Sequence, residues 1–230
     1  MTAEAAGRGQ RFARPLLIAF LVAAAVDLAG LLADAGTVHL VAKPLLMPLL
    51  AAYAAARGGP RPLIAALLFG WGGDTLLLPD HDLAFLAGMG SFAAGHVCYL
   101  WLFGRASARA SLPTALGYAV VLAAFLVLIW PDLPAELRVP LTGYSLLLTA
   151  MAWRAGTRGR QAALGGALFL LSDALIATGI AHWPQLPVPD FWVMLTYIAA
   201  QLLLTVGILA SGAKATDAGP GAYRERSISR

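Results

Sequence analysis

The stretch Gly70-Trp71-Gly72-Gly73-Asp74-Thr75-Leu76-Leu77-Leu78 decides how this chain is read. It lies in an apolar run from Leu63 to Pro79, long enough to be most of a membrane crossing. A single carboxylate, Asp74, interrupts the run, and glycine fills three of the four positions before it. A carboxylate at membrane depth is costly unless it is paired, protonated or wetted. Glycines remove side-chain bulk, so another helix or a ligand can come close to the backbone. The chain therefore has to supply partners for Asp74. The candidates in other apolar segments are Lys43, Asp173, Asp27, His96, Tyr197 and Gln201.

Composition sets the class. The 230 residues are 60% hydrophobic and 12% charged. A soluble domain carries about 25% charge, so the chain reads as an all-α, polytopic membrane helix bundle forming one domain. Continuous rather than alternating apolar runs argue against a membrane barrel. The single cysteine, Cys98, excludes an intramolecular disulfide and any multi-cysteine metal site, and reads as a small buried hydrophobe. The first apolar run is long and lacks a small-residue cleavage site, so no cleaved leader is expected.

Eight apolar segments follow one another: Pro15–Ala33, Val38–Ala56, Pro62–Leu78, Leu83–Phe103, Leu112–Trp130, Val139–Ala155, Gln161–Ala181 and Phe191–Ala210. Each approaches the ~20 residues that span hydrocarbon. Gly, Pro and Asp mark the short connections. Residues 1–14 form a basic leading segment, 15–210 the membrane domain, and 211–230 a polar, Gly-rich tail expected to be disordered.

Charge placement tests this count. With the first residue inside, the inner face holds Arg8, Arg11, Arg14, Arg57, Arg61, Arg105, Arg109, Arg154, Arg158, Arg160, Lys214, Arg224, Arg226 and Arg230. That is 14 of the 16 basic residues. The outer loops carry Asp34, Asp80, Asp82, Asp132, Glu136 and Asp190, with Arg138 as their one cation. The bias predicts eight crossings of the cell membrane with both termini cytoplasmic. It also accounts for the net charge of +4 without nucleic acid. The remaining basic residue, Lys43, lies inside a crossing.

The halves of the chain echo each other. Gly73-Asp74-Thr75-Leu76 in the third segment matches Ser172-Asp173-Ala174-Leu175 in the seventh. The next segment carries a polar pair each time: His96 with Tyr99, then Tyr197 with Gln201. A four-plus-four tandem repeat would have parallel halves.

At ~1.5 Å per residue, depth from the outer ends runs from ~6 Å for Asp74 through ~8 Å for Lys43 and ~10 Å for Asp27 and Tyr197 to ~12 Å for Asp173. Gln201 and His96 lie ~15–20 Å in. The ionisable groups thus gather in the outer half, which predicts a water-containing cavity between helices, open toward the outer leaflet. Each residue also has a plainer reading. Lys43 is shallow enough to snorkel outward, although Pro44 frees a backbone carbonyl beside it. His96 suits helix packing as well as catalysis. Tyr197 and Gln201 share a helix face and would serve as interhelical glue. One lysine cannot neutralise both Asp74 and Asp173, so one of the two is expected to carry a proton. A zinc site is disfavoured because His39, His81 and His182 lie at outer edges or in loops, leaving His96 as the one deep histidine. No phosphate loop, dinucleotide fingerprint or nucleophile elbow is present, and no cofactor is expected.

Taken in order, Ala42-Lys43-Pro44-Leu45, Gly73-Asp74-Thr75-Leu76, Phe92-Ala93-Ala94-Gly95-His96-Val97-Cys98-Tyr99, Phe169-Leu170-Leu171-Ser172-Asp173-Ala174 and Tyr197-Ile198-Ala199-Ala200-Gln201 resemble the YhhN/TMEM86 family. The resemblance covers nearly the whole membrane domain. It implies a lysoplasmalogenase, which hydrolyses the vinyl ether of a lysophospholipid to a fatty aldehyde and a glycerophospho-ethanolamine or -choline. Such chemistry requires a proton at the β-carbon, stabilisation of an oxocarbenium ion, and a base for water. A carboxylate pair can supply all three, as in glycoside hydrolysis. On this reading Asp74 and Asp173 form the acid/base pair, and His96 and Tyr197 position water or the leaving oxygen. Lys43 either tunes a carboxylate or holds the lipid phosphate, and Gln201, Asp27 and Tyr99 complete the substrate contacts. The competing class is a small lipid or proton-coupled carrier that uses the same carboxylates as a relay. Oligomeric state is left open.

Overall fold

The computed structural model describes residues 3–79, 81–106 and 110–217. The expectations placed on Asp80, Arg109, Arg224, Arg226 and Arg230, and on the tail beyond 217, lie outside the described residues.

Eight α-helices form in the expected order: α1 Ala3–Leu32, α2 Gly36–Ala56, α3 Arg61–Leu76, α4 Asp82–Gly104, α5 Leu112–Ile129, α6 Ala135–Ala155, α7 Arg160–Ile180 and α8 Pro189–Asp217. Two short 3-10 turns, Trp130–Asp132 and Gly156–Arg158, follow α5 and α6. Local chemistry sets the ends. Ser111 accepts from the Thr114 N–H at 3.4 Å to open α5, and His81 Nδ1 accepts from the Leu83 N–H at 3.1 Å to open α4. Gly159 at φ 105 turns the chain into α7. Arg154 and Arg158, from the end of α6 and the turn after it, donate to the carbonyls of Phe103 and Leu102 in the last turn of α4. Cations there complement the helix dipole and satisfy carbonyls without an intrahelical donor. Burial pushes the Arg158 guanidinium below its ordinary value.

Two ends differ from the sequence reading. Helix α1 already runs from Ala3 through the basic segment, and α8 continues past Ser211 to Asp217.

Six of the eight helices are long and apolar enough to cross a membrane. The protein is therefore a multi-pass membrane protein. The two others are α3 and α6. With 16 residues, α3 rises only ~24 Å. Helix α6 dilutes its apolar residues with Arg138, Thr142, Tyr144, Ser145, Thr149 and Arg154.

Neighbouring helices pair closely as α1–α2, α3–α4 and α7–α8. Small residues allow it: a Cβ on Gly207 would sit 2.6 Å from the backbone nitrogen of Ala162, and one on Gly165 2.8 Å from that of Leu204. One main core joins α1 to α4 with α6, α7 and α8. Helix α5 contributes no residue to that core. Its Ile129 end instead packs into a second, small cluster with Leu133, Leu141, Ala177 and Ala181.

Candidate active site

A cavity of about 590 Å³ opens between α5 and the main core. Its wall is almost entirely apolar, and Lys43, Asp74, Asp173, Tyr144 and Tyr197 are the residues that bring chemistry to it. Seven helices contribute, all except α1. A second cavity of about 390 Å³ shares Leu77, Phe85 and Ile180 with the first, and carries His81, Asp82 and Glu136.

Each aspartate is held by a tyrosine on another helix. Tyr197 of α8 donates to Asp74 Oδ2 at 2.8 Å. Tyr144 of α6 donates to Asp173 Oδ2 in a short hydrogen bond. Behind Tyr197, Gln201 Nε2 donates to its hydroxyl oxygen at 3.4 Å, and Tyr99 donates to Gln201 Oε1 at 2.8 Å. Behind Tyr144, His96 Nε2 lies 3.1 Å from the hydroxyl oxygen. Because Tyr144 spends its proton on Asp173, its oxygen accepts, so His96 is assigned the tautomer with hydrogen on Nε2. That leaves Nδ1 as a buried nitrogen with no partner. The two assemblies have one logic: carboxylate, tyrosine, then a buried donor. Phe92 and Phe169 pack edge-on between them, with ring centroids 5.8 Å and 5.4 Å from that of Tyr197, and Phe169 is 4.8 Å from His96.

The glycines before Asp74 make this packing possible. A Cβ on Gly70 would lie 3.0 Å from Gln201 Nε2, on Gly72 2.6 Å from Ser91 Oγ, and on Gly73 2.4 Å from the Phe92 ring. Gly70 therefore leaves room for the polar heads behind Asp74, while Gly72 and Gly73 seat α4. In the matching place on α7, Ser172 donates to the Val193 carbonyl of α8 at 3.0 Å.

Lys43 makes no hydrogen bond or ion pair among the described residues. It lines the cavity with Asp74 and lies within electrostatic range of both Asp74 and Asp27. Asp27 itself does not reach the cavity. It is fully buried on α1 and bonded to His39 Nδ1 of α2 at 2.9 Å, with its Oδ2 unpartnered.

Of the residues singled out in the sequence, Lys43, Asp74, Asp173 and Tyr197 thus meet on the cavity wall. His96, Gln201 and Tyr99 stand behind it, and Asp27 stands apart. Tyr144 was missed, because no charge or glycine motif surrounds it in Leu141-Thr142-Gly143-Tyr144-Ser145. Its signal is indirect: Asp173 and His96 both need a partner, and Tyr144 is the large polar side chain in the middle of the sixth segment, Arg154 lying at its end. Among the described residues no three His, Cys, Asp or Glu side chains gather where they could hold a metal ion.

Fold and site together define a class: a multi-pass α-helical membrane protein with an apolar internal cavity bearing two tyrosine-held aspartates. Residues 38–208 match the YhhN family, and the chain belongs to that family. It is 39% identical over 170 residues to the pig (Sus scrofa) lysoplasmalogenase TMEM86B, covering 72% of this chain and 71% of the relative. It is 37% identical over 147 residues to the human lysoplasmalogenase TMEM86B, covering 63% of this chain and 62% of the relative. A lysoplasmalogenase of Mycobacterium bovis is 33% identical over 159 residues, covering 64% and 60%. The chain thus matches less than two thirds of the human and mycobacterial relatives' length. No solved structure matches it.

Proposed function

We propose that this protein hydrolyses the vinyl ether bond of a lysoplasmalogen-like lipid, releasing a fatty aldehyde and a glycerophospho-ethanolamine or -choline. The observation that carries the reading is the pair of tyrosine-held aspartates on one apolar cavity wall. The lysoplasmalogenases among its relatives support the substrate class.

In this mechanism one aspartate gives its proton to the β-carbon of the vinyl ether, and the C=C electron pair forms the new C–H bond. The resulting oxocarbenium ion is stabilised by the carboxylate facing it. Water adds to the cationic carbon and passes a proton to the second aspartate. The hemiacetal then collapses: the first aspartate takes the hydroxyl proton, and the second returns its proton to the departing glycerol oxygen. Protons balance, and both aspartates end as they began. The Lys43 ammonium acts electrostatically on Asp74, and no cation among the described residues acts on Asp173. We therefore assign the ionised role to Asp74 and the proton-bearing role to Asp173. Tyr197 and Tyr144 orient the carboxylates, while Gln201 and His96 orient the tyrosines. The same reading places the protein in the cell membrane with eight crossings, both termini cytoplasmic, and its halves related as a four-plus-four repeat.

The test is aldehyde release by protein purified in detergent and given vinyl ether lysolipids with ethanolamine and choline heads. Stoichiometric aldehyde is expected. Absence of aldehyde with every such lipid would sink the hydrolase reading and leave a carrier as the better account.

A further inference from the structure

The cavity that carries Asp74 and Asp173 has a rim. Thr114, Gly117 and Val121 on α5, and Ala167 and Leu171 on α7, are the lining residues of the cavity that are exposed. Val121 is 60% exposed and Leu171 47%. Both helices are long and apolar enough to cross a membrane, so hydrocarbon, not water, lies outside this opening.

Helix α5 is held differently from the rest of the bundle. At one end Trp153 Nε1 donates to the Ser111 carbonyl at 2.9 Å. At the other, Ile129 joins the small cluster with Leu133 and Leu141. Between these points the cavity separates α5 from the main core. Its cavity-facing residues 114, 117, 118, 121, 122 and 125 follow helical spacing along ~16 Å of wall. The opposite face, with Leu116, Val120 and Val127, is exposed. The α5 wall is therefore one helix thick, largely apolar on both sides, and open along its α7 edge. An apolar track that starts at hydrocarbon and ends at two carboxylates fits an amphiphile with one chain.

We infer that the gap between α5 and α7 is a lateral portal through which the single hydrocarbon chain of a membrane lipid enters. The chain lies along Tyr118, Leu122 and Phe125, with its polar end toward Asp74 and Asp173. The inference deepens the hydrolase reading and rests on it for the chemistry at the polar end. The polar cavity with Asp82 and Glu136 lies beyond the Leu77, Phe85 and Ile180 shared by both cavities, and leaves an exit for a headgroup.

The test uses the full chain in phosphatidylcholine vesicles and a radiolabelled, saturated single-chain ether lysophosphatidylcholine, which has no vinyl ether to cleave. A photoreactive benzoylphenylalanine replaces Val121, Leu171 or, as the bilayer-facing control, Val120. Labelling at 121 and 171 is expected to saturate and to be competed by unlabelled single-chain lipid. Labelling at 120 should rise in proportion to bulk lipid. Gly117 has no atom within 4 Å of an added Cβ, so Gly117→Trp is expected to leave thermal unfolding unchanged. It should cut saturable labelling at 171, and vinyl ether turnover, by tenfold or more. Unsaturable labelling at both 121 and 171, or normal labelling and turnover in a folded Gly117→Trp, would overturn the portal. Saturable labelling by a protein that releases no aldehyde would leave the portal standing and remove the hydrolase reading.

Discussion

Each aspartate of the cavity accepts from a tyrosine at Oδ2, and its Oδ1 has no donor among the described residues. That free oxygen is the one available to a substrate. Asp74→Asn and Asp173→Asn should each lower turnover by at least ~100-fold, the usual scale for a lost general acid or base. The near-isosteric amide should leave the protein extractable and folded. Near-full turnover in either variant would remove that residue from the chemistry. Tyr144→Phe deletes the hydrogen bond to Asp173 and strands His96 Nε2. Asp173 becomes ionised as it gives up its proton, and losing a bond to a charged group is worth ~1.5–3 kcal/mol, so turnover should fall about tenfold to a hundredfold. The Michaelis constant should hold, because Tyr144 acts on Asp173 and not on the lipid head. A rise in the Michaelis constant with unchanged turnover would instead make Tyr144 a substrate contact. For Lys43, Lys43→Met separates two roles. If the ammonium holds the lipid phosphate throughout the reaction, the Michaelis constant rises and turnover stays. If it keeps Asp74 ionised, turnover falls and the pH–rate profile moves. Unchanged kinetics on both counts would return Lys43 to a snorkelling role.

Helix pairs carry the next level. The α7–α8 seam is a backbone-to-backbone contact made possible by Gly165 and Gly207, and it positions Asp173 relative to Tyr197. Gly207→Val must push α7 and α8 apart, because the nearest obstacle is the Ala162 backbone rather than a flexible side chain. It should destabilise by ~1–3 kcal/mol, the range for overpacked sites. Gly143→Ala on α6 meets nothing within 4 Å and should be neutral or stabilising by up to ~1 kcal/mol, since alanine favours helix. Thermal unfolding in detergent measures both, and equal midpoints would show that the seam does not depend on these glycines. The contrast between helices is also functional: α1–α2, α3–α4 and α7–α8 are sealed seams, and α5 is the one helix the cavity holds away from the main core.

For the whole molecule, the charge bias predicts the orientation. A cytoplasm-only reporter fused after Arg57, Arg105 or Arg158 should give signal, and one fused after Pro79 or Asp132 should not. The reverse pattern would turn the bundle over and move Asp82 and Glu136 to the cytoplasmic side. Helices α3 and α6 are the least apolar or shortest, and they are also those that bring Asp74 and Tyr144 to the cavity. Short length sets α3 apart and polar residues set α6 apart, whereas α7 and α8 carry Asp173 and Tyr197 and keep the length and apolar content of membrane spans.

The sequence by itself determined the class and the helix list. Apolar length and turn residues are local properties, and all eight segments became helices within a few residues of their expected ends, except at the start of α1 and the end of α8. It also marked Asp74 and Asp173, because an isolated carboxylate in an apolar run demands explanation wherever the run ends up. It did not assign partners. Tyr144 and His96 are 48 residues apart and Tyr197 and Asp74 are 123 apart, and no local signal states which helix faces which. Nor did it separate Asp27 from Asp74: both are single carboxylates in apolar runs, yet the α1–α2 seam gives Asp27 to His39 while α3 turns Asp74 to the cavity. The tertiary structure decided those pairings, because they depend on the rotation and spacing of whole helices. Those are set by glycine contacts and core packing summed over the bundle, and by the one helix, α5, that packing leaves apart.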